Sequence, residues 1–508
     1  MAATSHDQND GTVSISRVVS VHPKIQQPQR VLSLSNLDRQ CPRLMHLVFF
    51  YNNLNDLSLN SVFNSLKNGL EETLVLWYPG AGRLMKMNPN NNNNNNDNNN
   101  QSGNGKLNVW CNNQGAILVE AETKARISQL GDLSQYNEFF ENLVYKPDFD
   151  DANFSNMPLI VAQVTKFGCG GYSIGIGTSH SLFDGPATYD FLYAWASNSA
   201  ILKGIIIRPL ELPKPVHERG ILLSNGGNNN SQQLSKGSMN LPSSSSFYAH
   251  HQPIRAMAVQ HLYQLIMQAT AAASLQSSIS ETSERNNNNN NYQQKWVLKT
   301  YHLSAAMIDN LKRKYLSSTK RDSLPFSTFE VLTAHLWKAR TKALGLSKEK
   351  LVCLQFAVDT RNKTVPPLPK GFSGNAYVLA SVMMPVSQLL DNNSTLEFII
   401  EKIREAKNAV NHSYVKSYID ALELGSDNNN SLPPLKELTL VSDWTRMPFH
   451  KIEFFHGRKA AYASPLATPV PQVAYFMQSP SDVGAVDLRI GFQDGNTLTA
   501  FTQCFFFI

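Results

Sequence analysis

From Leu57 to Leu76 apolar side chains return every three to four positions, which predicts an amphipathic helix. Trp77-Tyr78-Pro79-Gly80-Ala81-Gly82-Arg83 stops it sharply with proline and glycine. Gly115 to Ala121 and Leu159 to Val164 are short apolar runs of strand length. Tyr172 to Thr178 interleaves glycine with Ile and Tyr, a strand pattern that lets neighbouring backbone approach closely. The period then changes: Asp184 or Gly185 caps a helix, Pro186 takes its first position, and Thr188 to Trp195 continues it.

Further along, Ser327-Thr-Phe-Glu330 is a capping box that opens a helix over Val331 to Leu344. Strands are predicted at Leu351 to Val358, Ala376 to Met383, Val473 to Met477, Ala485 to Phe492 and Thr497 to Phe507, with Phe501 to Ile508 as a buried terminal strand. One helix is predicted over Leu396 to Leu422. Strands and helices mixed without strict alternation predict α/β sandwiches rather than a barrel.

Residues 202–295 are rich in Ser, Asn, Gln and Pro apart from an apolar island at Met257 to Ala273. They are expected to form a partly disordered crossover carrying one helix, between an N-terminal domain (1–201) and a C-terminal domain (296–508). Four asparagine tracts, at 90–100, 228–230, 286–291 and 428–430, are too polar to bury and are read as surface loops.

Composition narrows the chemistry. The 508 residues are 42% hydrophobic and 17% charged, with a net charge of +6 and no Lys/Arg run that would track a phosphate backbone, so nucleic acid is not an expected partner. Five scattered cysteines without a C-x-x-C pair suit a reducing compartment. A polar N-terminus unlike a signal peptide and the lack of a long apolar run point to a cytoplasmic protein without a membrane span.

The chemistry centres on Ser179-His180-Ser-Leu-Phe-Asp184-Gly185. A glycine-rich strand-to-helix turn presents a side chain into a cleft, and a neutral imidazole there suits removal of a proton from an alcohol or amine near pH 7. On spacing alone, His180 reads equally as an ordinary satisfied histidine. His450, Glu453 and His456 lie on an apparently extended segment without convergent ligand geometry, so no metal site is expected.

The segment Gln163 to Gly185, with Phe191 and Trp195 behind it, resembles the signature of the plant BAHD superfamily of CoA-dependent acyltransferases. Matching blocks follow in the family's order: Leu34-Ser-Asn-Leu-Asp38, Leu76 to Leu84, Phe326-Ser-Thr-Phe-Glu330 with Trp337, Val358-Asp-Thr-Arg361, and Pro366 to Asn375. The resemblance implies two chloramphenicol-acetyltransferase-like sandwich domains, with His180 as general base in a channel between them. It implies an acyl-CoA co-substrate, no permanently bound cofactor and a monomer. It also makes Asp184 a loop scaffold paired with Arg361, sets Ser442 and Trp444 beside the reacting carbonyl, and offers Ser327 and Thr328 to the CoA arm.

The family's second motif is degenerate in this chain, reading Glu453-Phe454-Phe455-His456-Gly457, with the acid, one aromatic and the final glycine kept as structural residues. Phe455 would need a new backbone angle if the glycine it replaces used φ > 0. No arginine lies between Arg404 and Arg446, where shikimate- or quinate-accepting members grip a carboxylate, so such an acceptor is disfavoured. The expected activity is transfer of a hydroxycinnamoyl, benzoyl, acetyl or fatty acyl group to an alcohol or amine of plant specialised, cuticular or hormone metabolism. The alternative is a catalytically inactive family-like accessory protein, which the degenerate motif favours and the complete His180 to Gly185 block opposes.

Overall fold

A computed structural model describes residues 11–40, 44–52, 54–87, 106–147, 156–199, 213–223, 297–316, 326–391, 396–424, 437–466 and 472–507. The first sheet holds β1 (Val13–Val21), β6 (Ala116–Thr123), β7 (Ile160–Phe167), β8 (Tyr172–Ser179), β3 (Leu44–Tyr51) and β13 (Tyr462–Leu466), in that spatial order. Its pairs are antiparallel except β6 with β7. The second sheet runs β11 (Tyr377–Pro385), β10 (Leu351–Asp359), β12 (Leu438–Trp444), β14 (Val473–Gln478), β15 (Val486–Phe492) and β9 (Val297–Leu303), with β10, β12 and β14 parallel. A small sheet joins β2 (Arg30–Leu32), β5 (Lys106–Cys111) and β4 (Arg83–Met87).

Alternation along β3 shows how the first sheet is covered. Leu47, Phe49 and Tyr51 enter the core beneath α1 (Leu59–Leu76) and α2 (Gly185–Ser199), whereas Val48 and Phe50 pack on the opposite face against Phe140 and Leu143. α1 offers Val62, Phe63, Leu66, Leu70 and Leu74 to that core, and the α2 residue Trp195 donates its indole N–H to the Leu66 carbonyl at 2.9 Å. The second sheet carries its own core with α3 (Ala305–Leu316), α4 (Thr328–Ala343), α5 (Leu396–Asn408), α6 (His412–Leu424) and α7 (Gly495–Phe506).

Two expectations need correction. Thr497 to Phe507 is not a strand but most of α7: the Asp494 carboxylate accepts from Thr497 N at 2.8 Å, and Phe501 and Phe505, four apart, turn one helical face inward. Leu396 to Leu422 is not one helix, because Asn411 interrupts it and accepts from Tyr414 N at 2.9 Å to start α6. The first sheet also takes residues from beyond 296: Ile452, Phe454, Phe455 and Ala460 join its core, and β13 pairs with β3.

Most of 202–295, including the Met257 to Ala273 island, and the asparagine tracts lie outside the described residues. The described part of that stretch, 213–223, is tied down. Val216 N donates to the Gly371 carbonyl at 2.9 Å, and the buried His217 ring faces the Leu76 carbonyl through Nε2 at 2.8 Å and the Ser373 hydroxyl through Nδ1 at 2.7 Å. None of the described helices is long and apolar enough to cross a membrane, and the described cysteines Cys111, Cys169, Cys353 and Cys504 are free.

Burial lowers the His217 pKa to about 4. The unfolded chain therefore takes up a proton near pH 6.5 that the folded imidazole refuses until about pH 4. This contribution is fully present above pH 6.5 and is lost as pH falls toward 4, at about 1.4 kcal/mol per pH unit. Urea midpoints should drop over that window, where His46 and His450, also lowered to about 4 by burial, add to the fall; His217→Gln should make the drop shallower, and an equally steep drop in that variant would assign the acid lability elsewhere.

Candidate active site

His180 is the first residue beyond β8. Leu182 N and Phe183 N fold the chain back onto the Ser179 carbonyl at 2.9 and 3.2 Å, and α2 begins at Gly185. Asp184 caps that helix, its Oδ1 accepting from Ala187 N at 3.0 Å. Gly185 lets the Met447 side chain pack close: a Cβ there would lie 2.7 Å from its sulfur, so that thioether would have to move aside.

The connection between β10 and β11 embraces this loop from both of its ends. Arg361, two residues past β10, makes a two-pronged contact with Asp184, Nη2 to Oδ1 and Nη1 to Oδ2, each at 2.9 Å. Ala376 N, just before β11, donates to Oδ2 at 3.0 Å. The nearly buried carboxylate thus receives four donors, which fills its acceptor capacity and leaves nothing for a His–Asp dyad. Burial lowers the Arg361 pKa, but the Asp184 charge and hydrogen bonds more than offset it and hold the guanidinium above its usual value.

His180 is held by its backbone. Asn375 Nδ2 donates to its carbonyl at 2.7 Å, and the Tyr377 ring stands 5.9 Å from the imidazole centroid at 53°. Among the described residues the imidazole itself makes no hydrogen bond. It is fixed in place while its nitrogens are uncommitted, which is what a base toward a mobile acceptor requires.

Trp444 ends β12 and packs on Phe449 and Tyr475 at 5.6 and 5.2 Å between centroids. Its indole N–H donates to the Ser442 hydroxyl at 2.9 Å, so the Ser442 oxygen accepts and its own proton remains available to a third group. Met447 brings this segment against Gly185. Beside Trp444 lies a cleft of about 300 Å³ including its open mouth, lined among others by Met447, Phe449, Tyr462 and Met477.

Other candidate positions lie in separate local structures. Ser327 Oγ accepts from Glu330 N at 3.3 Å while Glu330 Oε2 accepts from Ser327 N at 2.9 Å; Thr328 is the first residue of α4, and the Ser327 hydroxyl is engaged in the cap. Gly457, at φ 68°, donates its N–H to Glu453 Oε2 at 3.1 Å and closes that turn. Phe455 is not at positive φ; it fills the first sheet's core against Tyr51 and Tyr172 at 4.8 and 5.7 Å. Sequence reasoning missed Asn375, Tyr377 and Met447 as neighbours of the His180 loop; the only signal was Gly374-Asn375 in a block already singled out for its order.

Two sheet-centred α/β halves thus meet at a histidine loop that an arginine from the second half locks in place. The model of the Transferase family matches residues 12–211 and 255–505. The chain is 48% identical over 94% of its length, and 95% of the relative's, to brassinosteroid-related acyltransferase 1 of Arabidopsis thaliana. It is 28% identical to the fatty alcohol:caffeoyl-CoA acyltransferase of the same plant, over 93% of each chain. Its fold is like that of crystalline vinorine synthase, with a TM-score of 0.62 and 19% identity over 96% of each chain. The chain belongs to this BAHD Transferase family and is an acyl-transferring enzyme.

Proposed function

We propose that this enzyme moves an acyl group from an acyl-CoA to a hydroxyl of a brassinosteroid-type acceptor, with His180 as general base. The observation that carries the mechanism is the uncommitted imidazole on a loop whose carboxylate and carbonyl are both tied down. The acceptor class rests on the 48% identity to a brassinosteroid-related acyltransferase. Hydroxycinnamoyl, benzoyl, acetyl and fatty acyl groups are the candidate donors, and other alcohols and amines are the alternative acceptors. The protein acts as a cytoplasmic monomer in this reading.

A thioester carbonyl is electrophilic, so the chain's task is to orient the acceptor and take its proton during attack. His180 does so and returns the proton to the departing thiolate, with no acyl-enzyme. Asp184 and Arg361 position the loop. Ser442, oriented by Trp444, offers its hydroxyl proton to the developing oxyanion; Ser327 and Thr328 flank the CoA arm, while Glu453 and Gly457 serve structure.

Purified protein should release thiol and form an ester when given acyl-CoAs and brassinosteroids. Failure with brassinosteroids alongside transfer to another alcohol or amine would overturn the acceptor class but not the mechanism. Ser442→Ala should lower kcat by up to about 10²-fold, the scale of one lost oxyanion donor. Trp444→Phe, which removes the orienting N–H and also trims the ring packed on Phe449 and Tyr475, should cost less. A larger loss in the Trp444 variant with an unchanged melting temperature would make the indole N–H the donor instead.

A further inference from the structure

A second buried ion pair lies behind the His180 loop, and its members come from two parts of the chain with no catalytic role so far. Asp38 sits in the turn after β2 and Arg219 in the segment 213–223; neither side chain has any solvent exposure. Asp38 Oδ2 accepts from Arg219 Nε at 2.8 Å and from Ser35 N and Oγ at 2.9 and 2.7 Å. Oδ1 accepts from Asn375 N and Nδ2, each at 3.0 Å. Burial raises the Asp38 pKa, but the Arg219 charge with the bonds from Asn375 and Ser35 outweighs it and keeps the carboxyl below its usual value, hence ionised.

Asn375 connects this pair to the catalytic loop. Its Nδ2 faces two acceptors, the Asp38 carboxylate and the His180 carbonyl at 2.7 Å, and uses one proton on each. Its Oδ1 is buried without a partner, so the side chain is present as a double donor. Arg219 reaches the same loop independently, its Nη2 lying 3.4 Å from the Leu182 carbonyl.

We propose that Asp38, Arg219 and Asn375 form a positioning device for His180: Asp38 aims the Asn375 amide at the His180 carbonyl, and Arg219 steadies the loop two residues on. Asp184 and Arg361 fix where the loop enters α2; this second device fixes where it leaves β8. The inference rests on His180 being the base. A base displaced by a fraction of an ångström loses alignment with the acceptor proton, whereas the pocket that binds the substrates is unchanged.

Asp38→Asn would leave Arg219 buried without its counter-charge and compromise folding, so the test uses the neutral partner. Asn375→Ala is made in the wild type and in His180→Ala, and transfer is measured with an acyl-CoA and alcohol pair that the wild type uses, alongside melting temperatures. In the wild type, kcat should fall about 10- to 100-fold with KM within twofold. In the His180→Ala background the residual rate should not fall further, because the amide acts only through that imidazole. Asn375→Ser, which keeps one donor, should lose less and serves if the alanine variant melts early. A loss below fivefold in the wild type, or an equal loss in both backgrounds, overturns the proposal. His180→Ala with wild-type rate would instead overturn the base assignment itself.

Discussion

His180→Ala is expected to lower kcat by about 10²–10⁴-fold while leaving KM for both substrates nearly unchanged. The acceptor's proton must leave as its oxygen attacks, and near neutral pH an imidazole is the side chain whose ordinary pKa matches that task. The structure gives this variant a clean interpretation. The imidazole makes no hydrogen bond among the described residues, so alanine orphans no described partner, and the loop's ties run through the His180 carbonyl and the Asp184 carboxylate, which remain. The melting temperature should therefore stay within a few degrees. A variant within tenfold of the wild-type rate would mean that the proton leaves by another route.

Arg361→Met should destabilise the protein by about 3–5 kcal/mol, the cost of leaving a buried charge without its partner. Asp184 keeps only the Ala187 and Ala376 N–H groups in that variant, and its side chain is 4% exposed. The effect should appear as a lower urea midpoint and a lower kcat, since the same carboxylate holds the start of α2. Asp184→Asn combined with Arg361→Met should recover much of the loss, because the double variant buries no unpaired carboxylate. If single and double variants unfold at the same denaturant concentration, the pair contributes through shape rather than charge.

The His180 loop could be read from the sequence because its signals are local. Glycines in a strand, a histidine at its end and Pro186 at a helix start all fall within one short stretch. The capping box at Ser327 was visible for the same reason. The contact of Asp38, visible only as the end of a matching block, with Arg219 was not, since a pairing of residues 181 positions apart leaves no periodicity or spacing to detect. The C-terminal misreading had a different cause. Thr, Phe and Ile between Thr497 and Ile508 favour strands individually, but the Asp494 cap and the four-residue spacing of Phe501 and Phe505 favour a helix, and tertiary burial decided for the latter. β13 was invisible because Tyr462 to Leu466 is short, contains Pro465 and pairs at an edge.

That edge strand bears on how the protein is made. The first half emerges from the ribosome with β8 already available to one side of β3, while the other side waits for Tyr462 to Leu466, synthesised long after both. Until then β3 presents an apolar open edge, the kind of surface that recruits wrong strands. The two halves are therefore not independent building blocks. A fragment ending before residue 437 would lack both the strand that closes its first sheet and the aromatic plug of Phe454 and Phe455 beneath it. Its failure mode would be self-association, and a separately supplied 437–466 peptide would be its natural antidote.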